Sequence, residues 1–514
     1  MKNNTSGTNR NSVLRLVVVA LFLLLQISCI IVMLFHFNQL SVWGSSAAKI
    51  IGILLALNIV NKNSNAAFKL PWVILILVSP VGGLVLYLIA GRSGITKKRH
   101  EKLSLIGDSL RSEYLTENGA LCKEDEDKLS YACQMRYIRN DSDYPAYSDT
   151  ETRFYSDTCK ALDELINALE KAEKFIFMEY HAIEEAEAFG RIKAVLQEKA
   201  ENGVEVRIIY DDMGSVGFLN LGFRKKMKEC GIECRVFNPM MPVINVFMNN
   251  RDHRKITVID GKVGFTGGYN LADEYFNIVQ PYGEWKDSGL RLEGNAVRNL
   301  TVQFLEMWNT IENTDKEFDK YFPKNISRSS SEKGIVQPYG DCPLDEIYLG
   351  ENVYMNMLSE AKDYIWFMTP YLIINDEMSR AITLASRRGV DVRILTPGIP
   401  DKKFVYKMTR SYYHQLVKSG VRIYEFTPGF LHAKQCISDD RTAVVGTINL
   451  DFRSLYFHFE NAVLFADCDA VSDVKADFEN TMPRCCEVTE KYMKEPKEAR
   501  RIINQIMRLF SPLF

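Results

Sequence analysis

The pattern of apolar and polar positions divides the chain into an apolar N-terminal part and a longer part in which short apolar strands alternate with amphipathic helices. Leu16 to Phe35 and Pro71 to Ala90 are uncharged and have the length that a membrane-spanning helix needs. Between them, Ala47 to Val60 is apolar but shorter, and it contains Lys49. The two long stretches predict transmembrane helices, and the shorter one predicts either a third span or an interfacial helix.

Four basic residues follow the last apolar stretch, namely Arg92, Lys97, Lys98 and Arg99. Because cytoplasmic flanks of membrane helices are rich in Lys and Arg, the rest of the chain is expected to face the cytoplasm. No clear cleavage site follows the first stretch, which favours a retained anchor over a signal peptide. Residues 1–95 are therefore predicted to form a membrane anchor of two or three transmembrane helices.

Beyond the anchor, the sequence repeats itself. The matching segments are Phe175–Met178 with Ile365–Met368, Gly203–Ile208 with Gly389–Ile394, and Gly231–Pro239 with Gly420–Pro428. Alternating apolar positions predict strands, and helical stretches separate them, so each half is expected to be an α/β sandwich. The fold class is thus α/β, with two pseudo-symmetric lobes after the N-terminal membrane helices.

The domain boundaries follow from this repeat. We predict a first lobe over residues 96–312, a linker over 313–346 that contains the serine-rich stretch Ser327 to Ser331, and a second lobe over 347–514. The second lobe ends with Ala499 to Phe510, whose apolar residues have helical spacing beside several arginines. This pattern predicts an amphipathic helix that lies either at a membrane interface or against the lobe.

The overall charge argues against one class of partner. The chain has a formal net charge of −2 and 25% charged residues. Proteins that bind nucleic acid usually carry a basic surface, and the composition shows none. We therefore do not expect a nucleic acid partner.

The repeat is strictest in a pattern written HxKxxxxD, which occurs once in each half. The first copy is His253, Lys255 and Asp260, and the second is His432, Lys434 and Asp439. Seven residues after each Asp comes a small pair, Gly267-Gly268 and Gly446-Thr447, and ten residues after it comes an asparagine, Asn270 or Asn449. The chain has only seven histidines, so two copies of this constellation are not expected by chance.

The spacing of the motif has a chemical interpretation. Residues two apart on a strand point to the same face, so each histidine projects together with its lysine. Two such pairs around one phosphodiester supply a nucleophile, a proton donor and positive charge for the phosphoryl oxygens. Small residues and an asparagine nearby leave room and hydrogen bonds for a phosphate. Lysine is not a usual metal ligand, and we predict neither a metal nor a cofactor.

At these residues the sequence resembles the phospholipase D superfamily and, within it, the bacterial cardiolipin synthases. The resemblance extends over nearly the whole chain and includes Tyr210–Ser215, Trp285–Asp287, Phe430–Lys434 and Asn449–Ser454. It implies a metal-free transfer in which one phosphatidylglycerol gives its phosphatidyl group to a histidine and a second one accepts it. The implied partners are the phospholipid bilayer and phosphatidylglycerol, and the implied location is a bacterial cell membrane.

The resemblance also implies roles for individual residues. It makes His253 the nucleophile and His432 the general acid and base, each oriented by a downstream carboxylate. Glu460 is predicted to orient His432, and Asp287 to orient His253. Asp260 and Asp439 belong to the motif, with either a catalytic or a structural role.

One position departs from the family pattern, which runs Arg-Ser-x-x-x-Asn-Phe-Glu after the second motif. Here His458 stands in place of the asparagine before Phe459 and Glu460, and this leaves the choice of acceptor open. A phospholipase D or nuclease would use the same residues with water as acceptor, and another transphosphatidylase would use a different alcohol. A membrane scaffold without activity is disfavoured because both motifs are complete.

Overall fold

The computed structural model describes seven positions between 17 and 28 and the ranges 42–62, 65–90, 94–115, 131–240, 249–324, 334–345, 347–495 and 498–513. Its N-terminal helices are α1 (Val42–Val60), α2 (Ala66–Val78), α3 (Pro80–Ala90) and α4 (Gly94–Tyr114). Across these described ranges, no helix combines the length and the apolar character needed to span a bilayer. The predicted span from Leu16 to Phe35 lies outside the continuously described residues.

The single helix predicted from Pro71 to Ala90 is wrong, because the chain turns back in its middle. Pro80 lacks the N–H that a continuous helix needs, and α2 ends just before it. A straight helix would separate Ile76 from Gly83 by about 10 Å, yet a Cβ atom added to Gly83 would lie 2.5 Å from Cα of Ile76. The absence of a side chain at Gly83 therefore lets α2 and α3 pack side by side as a hairpin.

The first lobe is built on a seven-stranded sheet with the order β1-β9-β7-β6-β2-β3-β4. Its strands, together with the short strands β5 and β8, are β1 (Glu151–Tyr155), β2 (Phe175–Tyr180), β3 (Glu205–Asp211), β4 (Glu233–Phe237), β5 (Arg251–Asp252), β6 (Lys255–Ile259), β7 (Val263–Gly267), β8 (Glu284–Lys286) and β9 (Gly289–Glu293). Its helices are α5 (Ala132–Ser142), α6 (Thr158–Leu169), α7 (Glu187–Glu201), α8 (Asp212–Ser215), α9 (Phe223–Glu229) and α10 (Val297–Ile311), with 3-10 turns at Asp273–Phe276 and Asp319–Tyr321.

The second lobe repeats this plan in the order β10-β19-β17-β16-β11-β13-β14-β20. Its strands are β10 (Ile335–Asp341), β11 (Tyr364–Met368), β12 (Leu372–Ile373), β13 (Asp391–Pro397), β14 (Arg422–Phe426), β15 (Gly429–Leu431), β16 (Gln435–Ser438), β17 (Thr442–Gly446), β18 (Leu450–Asp451), β19 (His458–Ala466) and β20 (Cys485–Glu487). Its helices are α11 (Leu349–Glu360), α12 (Asp376–Arg387), α13 (Lys403–Val417), α14 (Phe452–Tyr456), α15 (Asp469–Thr481), α16 (Thr489–Met493) and α17 (Glu498–Leu509), with 3-10 turns at Met482–Arg484 and Ser511–Leu513.

The two sheets confirm the mixed α/β character that the repeat predicted. In each lobe three parallel strands, β2-β3-β4 or β11-β13-β14, continue into an antiparallel part through β6 or β16. The apolar strand residues are almost all buried, with helices packed over the sheets. The predicted linker 313–346 is too long, because β10 lies inside it and pairs with β19 of the second sheet.

Two short parallel strand pairs join the lobes to each other. Strand β5 of the first lobe pairs with β19, so that Asp252 faces Phe459. Strand β8 pairs with β15, so that Lys286 faces Leu431. Each pair ends immediately before a histidine on one strand and a carboxylate on the other, and this register determines the geometry of the site.

Candidate active site

His253 lies in the gap between β5 and β6 and is held from the other lobe. Its backbone N–H donates to the carbonyl oxygen of Phe459 at 2.8 Å. Its Nδ1 lies 2.9 Å from both Oε1 and Oε2 of Glu460. Glu460 is fully buried, so its carboxylate is fixed and orients the imidazole.

His432 has equivalent surroundings, but here the first lobe holds a histidine of the second. Its backbone N–H donates to the carbonyl oxygen of Lys286 at 2.7 Å, and its Nδ1 lies 2.7 Å from Oδ2 of Asp287. Nζ of Lys434 lies 2.8 Å from the same ring nitrogen. Each histidine is therefore paired with a carboxylate that comes from the opposite lobe.

The predicted pairing of carboxylates with histidines is wrong in both halves. Glu460 orients His253, and Asp287 orients His432. The reason is the parallel pairing between the lobes, which places the residue after β8 beside the residue after β15. Within the second lobe, β17 lies between β19, which contains Glu460, and β16, which follows His432 and Lys434 of the motif.

Burial and positive charge lower the pKa of both imidazoles and so favour their neutral form in the free site. Burial, followed by the charges of Lys255, His458, Lys434 and His432, lowers the pKa of His253 well below its usual value. Burial and Lys434 lower the pKa of His432 to about 4, although Asp287 acts in the opposite direction. A neutral imidazole keeps the lone pair that a nucleophile needs.

The same buried surroundings also shift the pKa values of the two motif lysines and of Asp287. Burial lowers the pKa of Lys255 to about 8 and that of Lys434 to about 7, although nearby carboxylates raise both. Burial alone would raise the pKa of Asp287, but His432 and Lys434 outweigh it and leave that pKa below its usual value. The lysine of each motif acts on the histidine of the other, so the two motifs share one site.

The motif aspartates have a structural role. The carboxylate of Asp260 accepts hydrogen bonds from the backbone N–H groups of Glu173, Lys174 and Phe175 at 2.8 to 2.9 Å. Asp439 does the same for Lys362, Asp363 and Tyr364. Both lie at the end of their strand remote from the histidine and lysine. Of the catalytic and structural roles left open for Asp260 and Asp439, these hydrogen bonds support the structural one, because they fix the loop that leads into β2 or β11.

The residues predicted to bind phosphate have different roles in the structure. The hydroxyl of Thr447 donates to Glu460, so this residue positions the carboxylate. Gly267 has a φ of +158°, and a Cβ there would lie 2.5 Å from the carbonyl oxygen of Ser288; it gives close strand packing. The amide of Asn270 already bonds the backbone N–H of Ala182 and the hydroxyl of Tyr275.

Asn449 is the remaining candidate for binding substrate. It is buried, and its Oδ1 has no hydrogen-bond partner among the described residues. Buried polar atoms are usually satisfied, so this oxygen is available to a ligand. Of the predicted asparagines, Asn449 is thus the one whose side chain still has a free group.

Three residues of the site were not assigned a role from the sequence. The ring of His181 lies 5.0 Å from that of His253, and its Nδ1 donates to the carbonyl oxygen of Asp252 at 2.8 Å. The ring of His458 lies 5.5 Å from that of His253. Asn461 accepts from the backbone N–H of Lys255 and donates to Thr266 across the lobe boundary. Because the chain has only seven histidines, their rarity was the one sequence signal that could have pointed to His181 and His458 as site residues.

The site also contains a group with metal-ligating side chains. One ligand atom each from His253, His458 and Glu460 lies within 4.8 Å of the others, and such a set is chemically able to hold zinc. Lys255 and Lys434 place positive charge in the same pocket, which favours an anionic phosphate over a cation. The absence of a metal requirement stays a prediction.

Comparisons with known proteins agree with these features. The sequence model of the family described as cardiolipin synthase, PLD-like domain, matches residues 165–308 and 354–482, which is more than half of the chain. A second model, described as phospholipase D-nuclease N-terminal, matches residues 50–92. A crystal structure of phosphatidylserine synthase from Haemophilus influenzae is similar with a TM-score of 0.54 and 14% identity, covering 74% of this chain and 100% of that one. This last similarity shows a shared fold.

Several full-length relatives match as well. An uncharacterized protein of Streptococcus mutans is 39% identical over 457 residues, which covers 89% of this chain and 99% of that protein. A cardiolipin synthase of Halalkalibacterium halodurans is 32% identical over 467 residues, covering 90% of this chain and 91% of that protein. A cardiolipin synthase of Clostridium perfringens is 32% identical over 451 residues, covering 86% and 93%. The chain therefore belongs to the cardiolipin synthase family of phospholipase D-like proteins.

Proposed function

We propose that this protein is a phosphatidyltransferase that makes cardiolipin and glycerol from two molecules of phosphatidylglycerol. The observation that carries the proposal is the crossed arrangement of two imidazoles, each held by a carboxylate of the other lobe, with two lysines beside them. The family membership and the named cardiolipin synthases among the relatives support the same substrate.

In the first half-reaction, Nε2 of His253 attacks phosphorus while Nδ1–H is held by Glu460. The negative charge of the bound phosphodiester favours the protonated form of His432, as the carboxylate of Asp287 does. The bond from phosphorus to the headgroup oxygen breaks, and this protonated His432 gives its proton to the leaving glycerol. Lys255 and Lys434 offset the charge on the phosphoryl oxygens. The product is a phosphatidyl group on His253, a neutral His432 and free glycerol.

In the second half-reaction, His432 takes the proton of a headgroup hydroxyl from a second phosphatidylglycerol. The resulting oxygen attacks phosphorus, and the bond to His253 breaks. Cardiolipin leaves, and both histidines return to their starting protonation states. No metal or cofactor takes part in this scheme. The assignment of His253 as nucleophile rests on the family resemblance.

We also propose that the protein works at the bacterial cell membrane with its lobes on the cytoplasmic side. The exposed apolar side chains of α1 and α2 support this location, as does the family match over residues 50–92. The basic residues that follow α3, among them Lys98 and Arg99, support the orientation.

Purified protein and vesicles of headgroup-labelled phosphatidylglycerol test the activity. Cardiolipin and labelled glycerol in equal amounts are expected. Phosphatidate with no cardiolipin would instead identify a phospholipase D that uses water, and the proposal would then fail. A His432→Ala variant serves as the inactive control for both products.

A further inference from the structure

We propose that α17 lies on the bilayer surface and holds the second lobe against the membrane that contains its lipid substrate. This inference rests on the proposed function, since it concerns where that lipid is met. The feature that carries it is an apolar helix face that points away from the protein.

The outward face of α17 is built from large apolar side chains. Their exposed fractions lie between 47% and 56%, and the residues are Ile502, Ile503, Ile506, Leu509 and Phe510. At about 100° per residue, these five positions fall within an arc of about 120°. A surface helix of a soluble domain turns such a stripe towards the core, whereas α17 turns it outward.

Side chains outside this stripe attach α17 and the turn after it to the lobe. Met507 packs against the main core, and the guanidinium of Arg508 donates to the carbonyl oxygen of Ser411 at 2.5 Å. Ser511, which follows the helix, is buried and lies 2.7 Å from the hydroxyl of Tyr412. These contacts fix the helix, so the exposed stripe is not a frayed end that could turn inward.

The surroundings of α17 favour lipid as the occupant of this face. The turn Ser511–Leu513 contacts α2, whose Leu70, Ile74 and Leu77 are themselves exposed. The end of α17 is therefore next to the N-terminal hairpin, which also exposes apolar side chains. The exposed Arg501 flanks the stripe and suits the negative charge of phosphatidylglycerol headgroups.

Photocrosslinking tests the placement without depending on activity. The full-length protein is reconstituted in phosphatidylglycerol vesicles that contain a phospholipid with a diazirine near the glycerol backbone. Trypsin then cuts after Arg501 and Arg508 and releases Ile502–Arg508. We expect lipid adducts on this peptide as well as on α2. Adducts on α2 alone would overturn the proposal.

A kinetic test uses the double variant Ile503→Asp with Ile506→Asp, and Gln505→Glu as the matched control. Gln505 is exposed on the same helix, so its variant adds charge but removes no apolar surface. In mixed micelles, the double variant is expected to raise the interfacial KM by roughly tenfold or more with little change in kcat. The control is expected to keep the original values.

Two further outcomes separate this inference from its alternatives. With a water-soluble short-chain phosphatidylglycerol, the double variant should match the original protein; equal loss on both substrates would mean a damaged lobe and would overturn the docking role. If the substitutions instead convert an oligomer to a monomer in detergent while lipid adducts are absent, the face binds a second copy of the chain.

Failure of the original protein on every substrate would reject the proposed function. The lipid adducts would still decide whether α17 lies on the bilayer.

Discussion

Nδ1 of His253 lies 2.9 Å from each carboxylate oxygen of Glu460, although 207 residues separate them along the chain. The same relation joins His432 to Asp287 across 145 residues. Neither lobe therefore holds a complete catalytic unit, because the orienting carboxylate always comes from its neighbour. In the proposed reaction, both halves are therefore needed.

Glu460→Gln tests the crossed pairing. The amide has nearly the shape of the carboxylate but no charge, so it neither stabilises the imidazolium nor selects the Nδ1–H tautomer. We expect kcat to fall by roughly 10² to 10⁴ with a small change in KM, as for other carboxylate–histidine pairs. The Nδ1 proton resonance of His253 should move in this variant and stay in place in Asp287→Asn. A shift of His253 only in Asp287→Asn would show that the pairing is not crossed.

His458→Asn tests the departure from the family pattern. Both ring nitrogens of His458 lack a hydrogen bond among the described residues, and the side chain is about 10% exposed. Because the asparagine is the family's own residue, we expect transfer to persist with kcat within roughly tenfold. The ratio of cardiolipin to phosphatidate measures whether acceptor choice changes.

A chelator provides the matching check on the group formed by His253, His458 and Glu460. EDTA is expected to leave the rate unchanged, because lysine charge stabilises the phosphoryl oxygens in place of a metal. A stoichiometric metal in the purified protein, lost together with activity in His458→Asn, would contradict the metal-free scheme.

The pH dependence follows from the two lysines. Their ammonium forms attract the phosphodiester, and burial lowers the pKa of Lys434 to about 7 and that of Lys255 to about 8. The active form is thus protonated and is lost as pH rises, so kcat/KM should fall at least roughly tenfold between pH 7 and 9. Over that window an unfolded chain binds more protons at these lysines than the folded one, so the destabilisation caused by burying them decreases and the free energy of unfolding rises with pH. A flat profile would mean that the lysines do not titrate there.

Asp260→Asn should act on stability and spare the chemistry. The carboxylate caps three backbone N–H groups before β2, and an amide oxygen accepts them more weakly. We expect the free energy of unfolding to drop by about 1 to 3 kcal/mol, with kcat of the folded fraction nearly unchanged. Denaturant unfolding and active-site titration check this, and Asp439→Asn is the matched variant. A large drop in kcat without destabilisation would give the aspartate a chemical role.

The sequence was informative about features that repeat and silent about features that depend on how the halves meet. The duplicated strands around Phe175 and Ile365 and the two motifs are local patterns, and they predicted both the lobes and the site. The partner of each histidine depends on which strands pair between lobes. The spacing of residues along the chain does not show which strands pair. The histidine partners predicted for Glu460 and Asp287 were therefore exchanged.

The N-terminal part shows a second limit. Composition alone made Pro71 to Ala90 an apolar segment of spanning length, but the turn depends on Pro80 and on the missing side chain at Gly83. Similarly, β10 was placed in the linker because its pairing with β19 involves residues more than a hundred positions away. Apolar length predicts burial or lipid contact, and it does not by itself predict a continuous helix.

The most direct test of the mechanism is to map the covalent intermediate. Protein mixed briefly with phosphatidylglycerol labelled at phosphorus is quenched, digested and analysed by mass spectrometry. We expect one phosphatidyl group on His253, sensitive to acid and absent in His253→Ala, and its release as cardiolipin when more phosphatidylglycerol is added. Turnover without any histidine adduct, or an adduct that never becomes cardiolipin, would contradict it.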